Sequence, residues 1–423
     1  MLDIKEIRNN PKEIEERLQT KDPSATLTPI LALDEQVRAL KTQVEEWKSK
    51  RNALSKEIGE KKRSGADASS LMEEVSGIGE KITETDKSLD EKEKSLQDLL
   101  SGLPNLPVKE AKVSQNVEDN VILRSEGEKP SFSFEAKNHV QLNDHLHLFD
   151  FKRAAKASGS NWPAYTGNGA KLEWALINYM LDYHQENNFQ FWLPPLLVRP
   201  EIGYGAAQLP KFKDQLFKID DDDYHLYLIP TSEMALMGLH HDEILDEDTL
   251  PRKYVSYTPC FRREAGALGS QERGLIRMHQ FNKVEMFAYA TPEQSEAIYE
   301  EMVHHAETLL KGLGLHYRTA ELVTGDMSFA AAKTIDLEVW LPGQDRYYEV
   351  SSVSHCTDFQ ARRSHTRSKK GQDKPRLCHT LNGSGLATSR LMVALLENNQ
   401  REDGSVEIPL ILHKYLNGMK ELT

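Results

Sequence analysis

The densest chemistry in this chain lies where cations and carboxylates alternate within β-prone sequence. Residues 254–289 read YVSYTPCFRREAGALGSQERGLIRMHQFNKVEMFAY. Two β-prone stretches flank a Gly- and charge-rich loop, residues 264–276, which predicts an antiparallel hairpin with a long mobile loop. Residues 251–290 hold seven basic and three acidic groups. Arg262, Arg277 and Lys283 lie on or beside the strands, and cations on a half-buried sheet are costly unless they meet anions. A polyphosphate would supply those anions, and Arg grips phosphate with two parallel hydrogen bonds. Ion pairing with Glu264 and Glu285 is the competing solution. RYYEVSSVSHCTDFQARR, residues 346–363, places Glu349 and Ser352 three apart in a strand-to-loop segment. A carboxylate and a hydroxyl can hold Mg²⁺ through hard oxygens, with substrate phosphates completing the shell.

Two further segments end in turns. CHTLNGSGLATSRLMVALLE, residues 378–397, reads as an apolar strand to Leu381, a tight turn at 382–385, and a helix from Leu386. Gly383 and Gly385 permit close backbone approach to a ligand, and Arg390 lies about one turn into the helix. No Gly-Lys-Ser/Thr follows, so this is not a P-loop, and a plain strand–turn–helix fits equally. Thr231-Ser232-Glu233 follows the apolar LYLIP. It reads as a helix cap with an acidic first turn, and also as a hydroxyl and carboxylate able to bind an ammonium or hydroxyl group. Other features carry less. His240-His241 and His304-His305 are adjacent pairs that do not share a helix face. No HExxH, CxxC or GxSxG string occurs, and no zinc is expected. Residues 361–379, with seven basic and one acidic group, suit either the acceptor end of a nucleic acid or a solvated loop. Asp220 to Asp223 reads as a solvated acidic loop.

These segments need a frame, and the chain reads as two unlike parts. Its 423 residues suggest two or three domains at about 150 residues each. The first hundred contain no Phe or Tyr and a single Trp, Trp47. Residues 30–62 read as one helix whose seam runs Leu33, Val37, Leu40, Val44, Trp47, Arg51, Leu54 and Ile58. After the polar turn SGADASS, the seam repeats at Val75, Ile78, Ile82, Thr85, Leu89, Lys92, Leu96 and Leu99. Two such helices should pack antiparallel. A dimerising coiled coil and a nucleic-acid arm both fit. Residues 41–63 carry eight basic and four acidic groups, which suits a phosphate backbone or a solvated face. Pro104 and Pro107 end the hairpin, and beyond them strands alternate with helices and aromatics appear. With 53 basic and 66 acidic residues, the net charge of −13 argues against a basic nucleic-acid coat protein. It leaves room for locally basic sites. Three dispersed cysteines give no disulfide framework, and no run approaches the ~20 apolar residues of a membrane span. A cytoplasmic protein is expected.

Together the segments resemble the signature motifs of class II aminoacyl-tRNA synthetases. The match to the bacterial-type seryl-tRNA synthetase family extends from MLDIKEIR to IPLILHKYL. It rests on TSE, FRREAG…RGLIRMHQFNKVEMF, GDMSFAAAKTIDLEVWLPGQ and HTLNGSGLATSR, with the long hairpin before the core. The resemblance implies an α+β fold: an antiparallel coiled-coil hairpin, then a mostly antiparallel β-sheet flanked by helices. It implies a tRNA-binding domain at 1–110 and a catalytic domain at 111–423. It implies that serine attacks ATP to give seryl-adenylate and pyrophosphate, and that the seryl group then passes to serine tRNA. Serine tRNA, L-serine, ATP with Mg²⁺ and a second copy of the chain are the implied partners, with selenocysteine tRNA where that tRNA exists. By carry-over, Arg262, Glu264, Arg277 and Arg390 form the catalytic set. ATP would meet Arg262, Arg263, Glu264, Phe281, Glu349, Val350, Ser351, Ser352 and Arg390, with Phe281 on the adenine and Arg390 at the γ-phosphate. Glu349 and Ser352 would hold Mg²⁺. Thr231, Ser232, Glu233, Glu285 and Ser384 would meet serine. Lys48, Arg51, Lys56, Lys61, Lys62 and Arg63 would meet tRNA. The helix 175–189 and the strand near Pro195 would build a dimer interface.

The chain departs from the family at GSNW (159–162), at Arg263 and at Val353-Ser354-His355. Two other functions compete. A class II paralogue charging a non-tRNA acceptor would lack the hairpin, which is present here. A non-catalytic scaffold would have lost Arg262, Glu285, Glu349 or Arg390, and all four remain.

Overall fold

The computed structural model describes residues 1–265 and 274–423. Most of the loop expected to be mobile, residues 266–273, lies outside the described residues. The chain divides into two units, Leu2–Pro104 and Asn105–Thr423, the second including Met1.

The first unit holds two short helices, α1 (Ile4–Asn9) and α2 (Pro11–Lys21), and two long ones, α3 (Thr28–Arg63) and α4 (Ser69–Ser101). Ion pairs Lys41–Glu93 (2.5 Å), Lys48–Asp86 (3.5 Å) and Lys50–Glu74 (2.8 Å) take their partners in opposite order along α3 and α4. The pair is therefore antiparallel. Val37, Val44, Ile78, Ile82 and Leu96 are buried in the seam. The expected Leu99 is instead 40 % exposed, and Leu100 is buried. A helix of 3.6 residues per turn drifts against a strict 3.5 repeat, so the last step from Leu96 is four rather than three. Asp34 is buried in α3, held by Arg8 (2.7 Å) and Arg38 (3.1 Å), which compensate its lost hydration. Of the six expected tRNA contacts, Lys48 pairs with Asp86 and Lys61 with Glu57 (3.7 Å). Arg51 is half-buried. Lys56, Lys62 and Arg63 are exposed, without an ion-pair partner among the described residues.

The second unit is built on an eight-stranded sheet. Its strands are β1 (Val121–Glu126), β2 (Gln190–Trp192), β3 (Arg252–Phe261), β4 (Gln280–Ala290), β5 (Tyr317–Glu321), β6 (Lys333–Leu341), β7 (Arg346–His355) and β8 (His379–Ala387). Their order is β1-β5-β6-β7-β8-β4-β3-β2. Every neighbouring pair is antiparallel except β2 with β3. The helices are α5 (His139–Leu146), α6 (Phe151–Ser158), α7 (Gly167–Glu186), α8 (Pro200–Gly205), α9 (Glu233–Gly238), α10 (Pro292–Gly312), α11 (Phe359–Ser364) and α12 (Thr388–Asn398). Apolar residues of α7, α10 and α12 bury one face of the sheet together with Val284, Met286, Leu381 and Val353. Helices α8, α9 and α11 gather near the other face, where Phe287 and Tyr289 pack. Among the described residues no helix is long and apolar enough to cross a membrane.

Two expectations fail locally. The helix expected over 175–189 spans Gly167–Glu186 instead, and near its start α7 packs so tightly that a Cβ on Gly169 would meet the Leu148 carbonyl at 2.1 Å. Residues 382–385 form no turn; they continue β8, and the helix starts at Thr388. Their glycines serve close packing, since a Cβ on Gly385 would lie 2.6 Å from His184 Nε2.

Candidate active site

The open face of the sheet carries a cavity of about 550 Å³. Two irregularities in strand pairing shape it. In β7, Glu349 faces Glu338 while Ser351 faces Leu337 and Ser352 faces Asp336, so Val350 is an extra, bulged residue. Residues three apart on a regular strand project to opposite faces. The bulge brings Glu349 and Ser352 onto one face, which makes a shared cation geometrically reasonable. In β8 the register shifts between Ser384 and Leu386, and Ser384 stands opposite Glu285. The Ser351 hydroxyl donates to the Ser384 carbonyl at 2.6 Å, linking β7 to β8 beside both bulges.

At one end of the cavity the cations already have carboxylate partners. Glu264, in a left-handed conformation at φ 48°, pairs with Arg277 at 2.7 Å. Arg390 donates to the Glu349 carbonyl at 2.8 Å and lies 3.4 Å from its carboxylate. The Arg262 guanidinium sits 5.0 Å from the centre of the Phe281 ring and donates to the Pro230 carbonyl at 3.4 Å. Deeper, Lys283 and Glu285 pair at 2.5 Å, both buried. The ion-pairing solution for the hairpin cations is the one observed, with Arg277 and Lys283 each held by a carboxylate.

Glu233, the first residue of α9, lies near enough to Glu285, Lys283 and Arg262 to feel their charges. Its Oε1 accepts from Gln360 Nε2 at 2.6 Å and Asn382 Nδ2 at 3.2 Å. Burial, and then the charge of Glu285, push its carboxyl up to about 7. Gln360 is in turn fixed by the Thr380 hydroxyl, which donates to its Oε1 at 2.7 Å. Neither Gln360 nor Thr380 stood out in sequence, because each looks like an ordinary core polar residue until α11 sets it against Glu233. Asp336 was also missed. It hydrogen-bonds Ser352, its Oδ1 has no hydrogen-bond partner among the described residues, and burial with the charge of Glu349 raises its carboxyl well above the usual range.

Of the sequence-derived residues, Thr231, Arg262, Glu264, Arg277, Phe281, Glu349, Val350, Ser384 and Arg390 line the cavity. Glu285 is buried and Glu233 half-buried, and the two lie close to one another, as the charge of Glu285 felt by Glu233 indicates. Ser232 and Ser351 are turned into the structure: Ser232 accepts from Ser256 at 2.7 Å, and Ser351 bonds the backbone of β8. Ser232 is the N-cap of α9 with Glu233 in its first turn, but its side chain makes no cap bond; the Thr231 hydroxyl accepts from the Glu233 N–H at 3.4 Å. The Arg263 backbone N–H donates to the Gln215 carbonyl at 3.0 Å. The basic stretch 361–379 is held in ion pairs. Arg376 bridges Glu247 (2.8 Å) and Glu293 (2.7 Å), Arg362 meets Asp358 at 2.6 Å, and Arg363 is buried. Its ends are thus tied down by ion pairs, while residues 370–375, with Lys370 and Lys374, remain exposed. Asp220–Asp223 is exposed, with Asp221 accepting from the N–H groups of Asp223 and Tyr224. Among the described residues no group of three His, Cys, Asp or Glu side chains is gathered as a metal cage. One carboxylate and one hydroxyl on a single face suit a cation that takes its remaining oxygens from a phosphate substrate.

Residues 1–107 match the model of the seryl-tRNA synthetase N-terminal domain, and residues 216–399 that of the tRNA synthetase class II core domain (G, H, P, S and T). A serine–tRNA ligase of Chlamydia caviae is 55 % identical over 422 residues, covering 100 % of this chain and 99 % of that protein. A seryl-tRNA synthetase from Pyrococcus horikoshii complexed with ATP superposes with a TM-score of 0.94 at 37 % identity, over 100 % of this chain and 99 % of the other. A cytoplasmic serine–tRNA ligase from Naegleria fowleri in complex with AMP gives 0.89 at 28 % identity, with the same coverage.

Proposed function

The chain belongs to the seryl-tRNA synthetase family, and from that premise we propose how its residues carry out ATP-dependent attachment of L-serine to tRNA. A serine carboxylate oxygen attacks the α-phosphorus of ATP, the bond to pyrophosphate breaks, and seryl-adenylate forms. The terminal ribose hydroxyl of tRNA then attacks the seryl carbonyl, and AMP leaves. The first step needs little proton transfer, because the nucleophile is already an anion. Its rate rests on in-line positioning and on balancing charge at phosphorus.

Arg262 takes the α-phosphate and Phe281 the adenine face, an assignment supported by their stacking at 5.0 Å. Arg277 and Arg390 exchange Glu264 and Glu349 for phosphate oxygens, Arg390 toward the γ end. Glu264 then serves the adenine. Glu349 and Ser352 would hold Mg²⁺, which when bound withdraws charge from the phosphate oxygens. Thr231, Glu233, Glu285 and Ser384 form the serine subsite. A site whose buried polar groups require the substrate hydroxyl rejects alanine by leaving those groups unpaired, and such sites reach ~10⁴–10⁵-fold discrimination. The observation that carries this reading is the buried Glu285 opposite Ser384, with Glu233 close to it and Arg262 stacked on Phe281 in the adjoining cavity.

We assign tRNA binding to residues 1–110 and both chemical steps to residues 111–423. The acceptor is serine tRNA, and selenocysteine tRNA where that exists. The working form is a cytoplasmic homodimer joined through α7. The test is serine-dependent ATP–pyrophosphate exchange beside charging of serine tRNA. Both activities are expected. Exchange without charging would favour a non-tRNA acceptor, and absence of both would leave only a scaffold.

A further inference from the structure

A buried carboxyl stands behind the cavity, on the opposite face of the sheet. Glu173 on α7 is only 3 % exposed. Its Oε1 accepts from Asn282 Nδ2 at 2.9 Å, and the Thr388 hydroxyl lies 2.5 Å from the same oxygen. Asn282 is on β4 between Phe281 and Lys283, whose side chains line the cavity. Thr388 is the first residue of α12, immediately before Ser389 and Arg390, which also line it. Pairing of β8 with β4 ends at Ala387 opposite Lys283. The next residue places the Thr388 hydroxyl 2.9 Å from the Asn282 carbonyl, where the ladder would have continued.

The arrangement is oriented as well as closed. The Tyr257 hydroxyl donates to Asn282 Oδ1 at 3.3 Å, which turns the amide nitrogen toward Glu173. Tyr257 itself rests against Trp174, the next residue of α7, with ring centres 5.4 Å apart. Glu173 Oε2 and the buried Tyr165 hydroxyl have no hydrogen-bond partner among the described residues. A carboxyl buried with one oxygen unpaired is a poor choice for packing alone, since an apolar side chain of similar volume would avoid the loss of hydration.

We propose that Glu173 is a positioning residue for the nucleotide: it ties β4 at Asn282 to the first turn of α12, so that Phe281 and Arg390 keep a fixed spacing across the cavity. The proposal rests on reading that cavity as the ATP site. It separates the two substrates, because Glu233, Glu285 and Ser384 bear on serine without passing through Asn282 or Thr388.

The test uses the full chain with Glu173→Ala, Glu173→Gln and Thr388→Val. ATP affinity is measured by calorimetry without serine, and KM for each substrate by pyrophosphate exchange. Glu173→Ala should weaken ATP about tenfold through loss of alignment, with KM for serine changed less than twofold. Glu173→Gln keeps an acceptor oxygen and should restore most of the affinity. Thr388→Val should shift ATP in the same direction by a smaller factor, and adding it to Glu173→Ala should cost little more. Equal effects on both substrates, or unchanged ATP affinity in Thr388→Val, would overturn the proposal, and the latter decides even if Glu173→Ala does not fold. Wild-type protein that binds ATP without serine-dependent exchange would count against the proposed function instead, leaving the ATP comparison intact.

Discussion

Glu233 gives the cavity a pH signature. Its carboxyl is raised from its ordinary 4.5 to about 7, and on the proposed assignment a serine ammonium would need it ionised. Below about 7 the free protein holds this proton and serine must expel it. KM for serine should therefore rise as pH falls below 7, approaching about tenfold per pH unit, while KM for ATP stays flat. Pyrophosphate exchange at varied pH and saturating co-substrate reads this directly, and a parallel rise for ATP would contradict it. The same shift acts on folding: its stabilising contribution is complete below the ordinary value and is lost as pH rises through 7. Gln360 supports the ionised form through its 2.6 Å bond. Hydrogen bonds to charged groups are worth about 1.5–3 kcal/mol, so Gln360→Leu should raise KM for serine about ten- to a hundredfold, with ATP affinity unchanged by calorimetry. Thr231, Glu233, Glu285 and Ser384 were legible because a resemblance names them. Gln360 and Thr380 were not, because a buried amide and hydroxyl acquire meaning only when a distant helix sets them beside a carboxylate.

At the scale of elements, strand register does work that motif spacing conceals. Glu349 and Ser352 are three apart, and on a regular strand such residues face opposite ways. The extra residue at Val350 reverses that. Ser352→Ala should therefore raise the half-saturating Mg²⁺ concentration for pyrophosphate exchange several-fold while leaving KM for serine unchanged. An unaltered Mg²⁺ dependence would remove Ser352 from the cation's shell. The β3–β4 hairpin was readable from its alternating pattern and charged loop. The run 382–385 was not, because glycines that admit Val353 and His184 carry the same letters as glycines that turn a chain. The helical hairpin was readable except at Leu99 and Leu100, where only the accumulated drift of the helix decides which side chain is covered.

At the scale of the whole molecule, a net charge of −13 coexists with three basic stretches that have different fates. Residues 361–379 commit much of their charge to internal pairs, whereas Lys56, Lys62 and Arg63 on α3 stay exposed. Alanine at those three positions should weaken tRNA binding and flatten the slope of log Kd against log salt by about two to three, since each phosphate no longer neutralised removes roughly 0.7–0.9 from it. Filter binding across a salt series measures this, and pyrophosphate exchange should be untouched. An unchanged slope would move the tRNA-binding surface elsewhere. The cavity uses its charge differently again. Arg277, Lys283 and Arg390 are each engaged by a carboxylate of this same chain. Such a carboxylate is a tethered competitor, whose effective concentration does not depend on any anion in solution. On the proposed assignment it would lower the nucleotide's affinity and reclaim its cation as pyrophosphate loosens. On that reading the enzyme would carry its own product-displacing anions, and turnover would not wait for a new substrate to evict the old product.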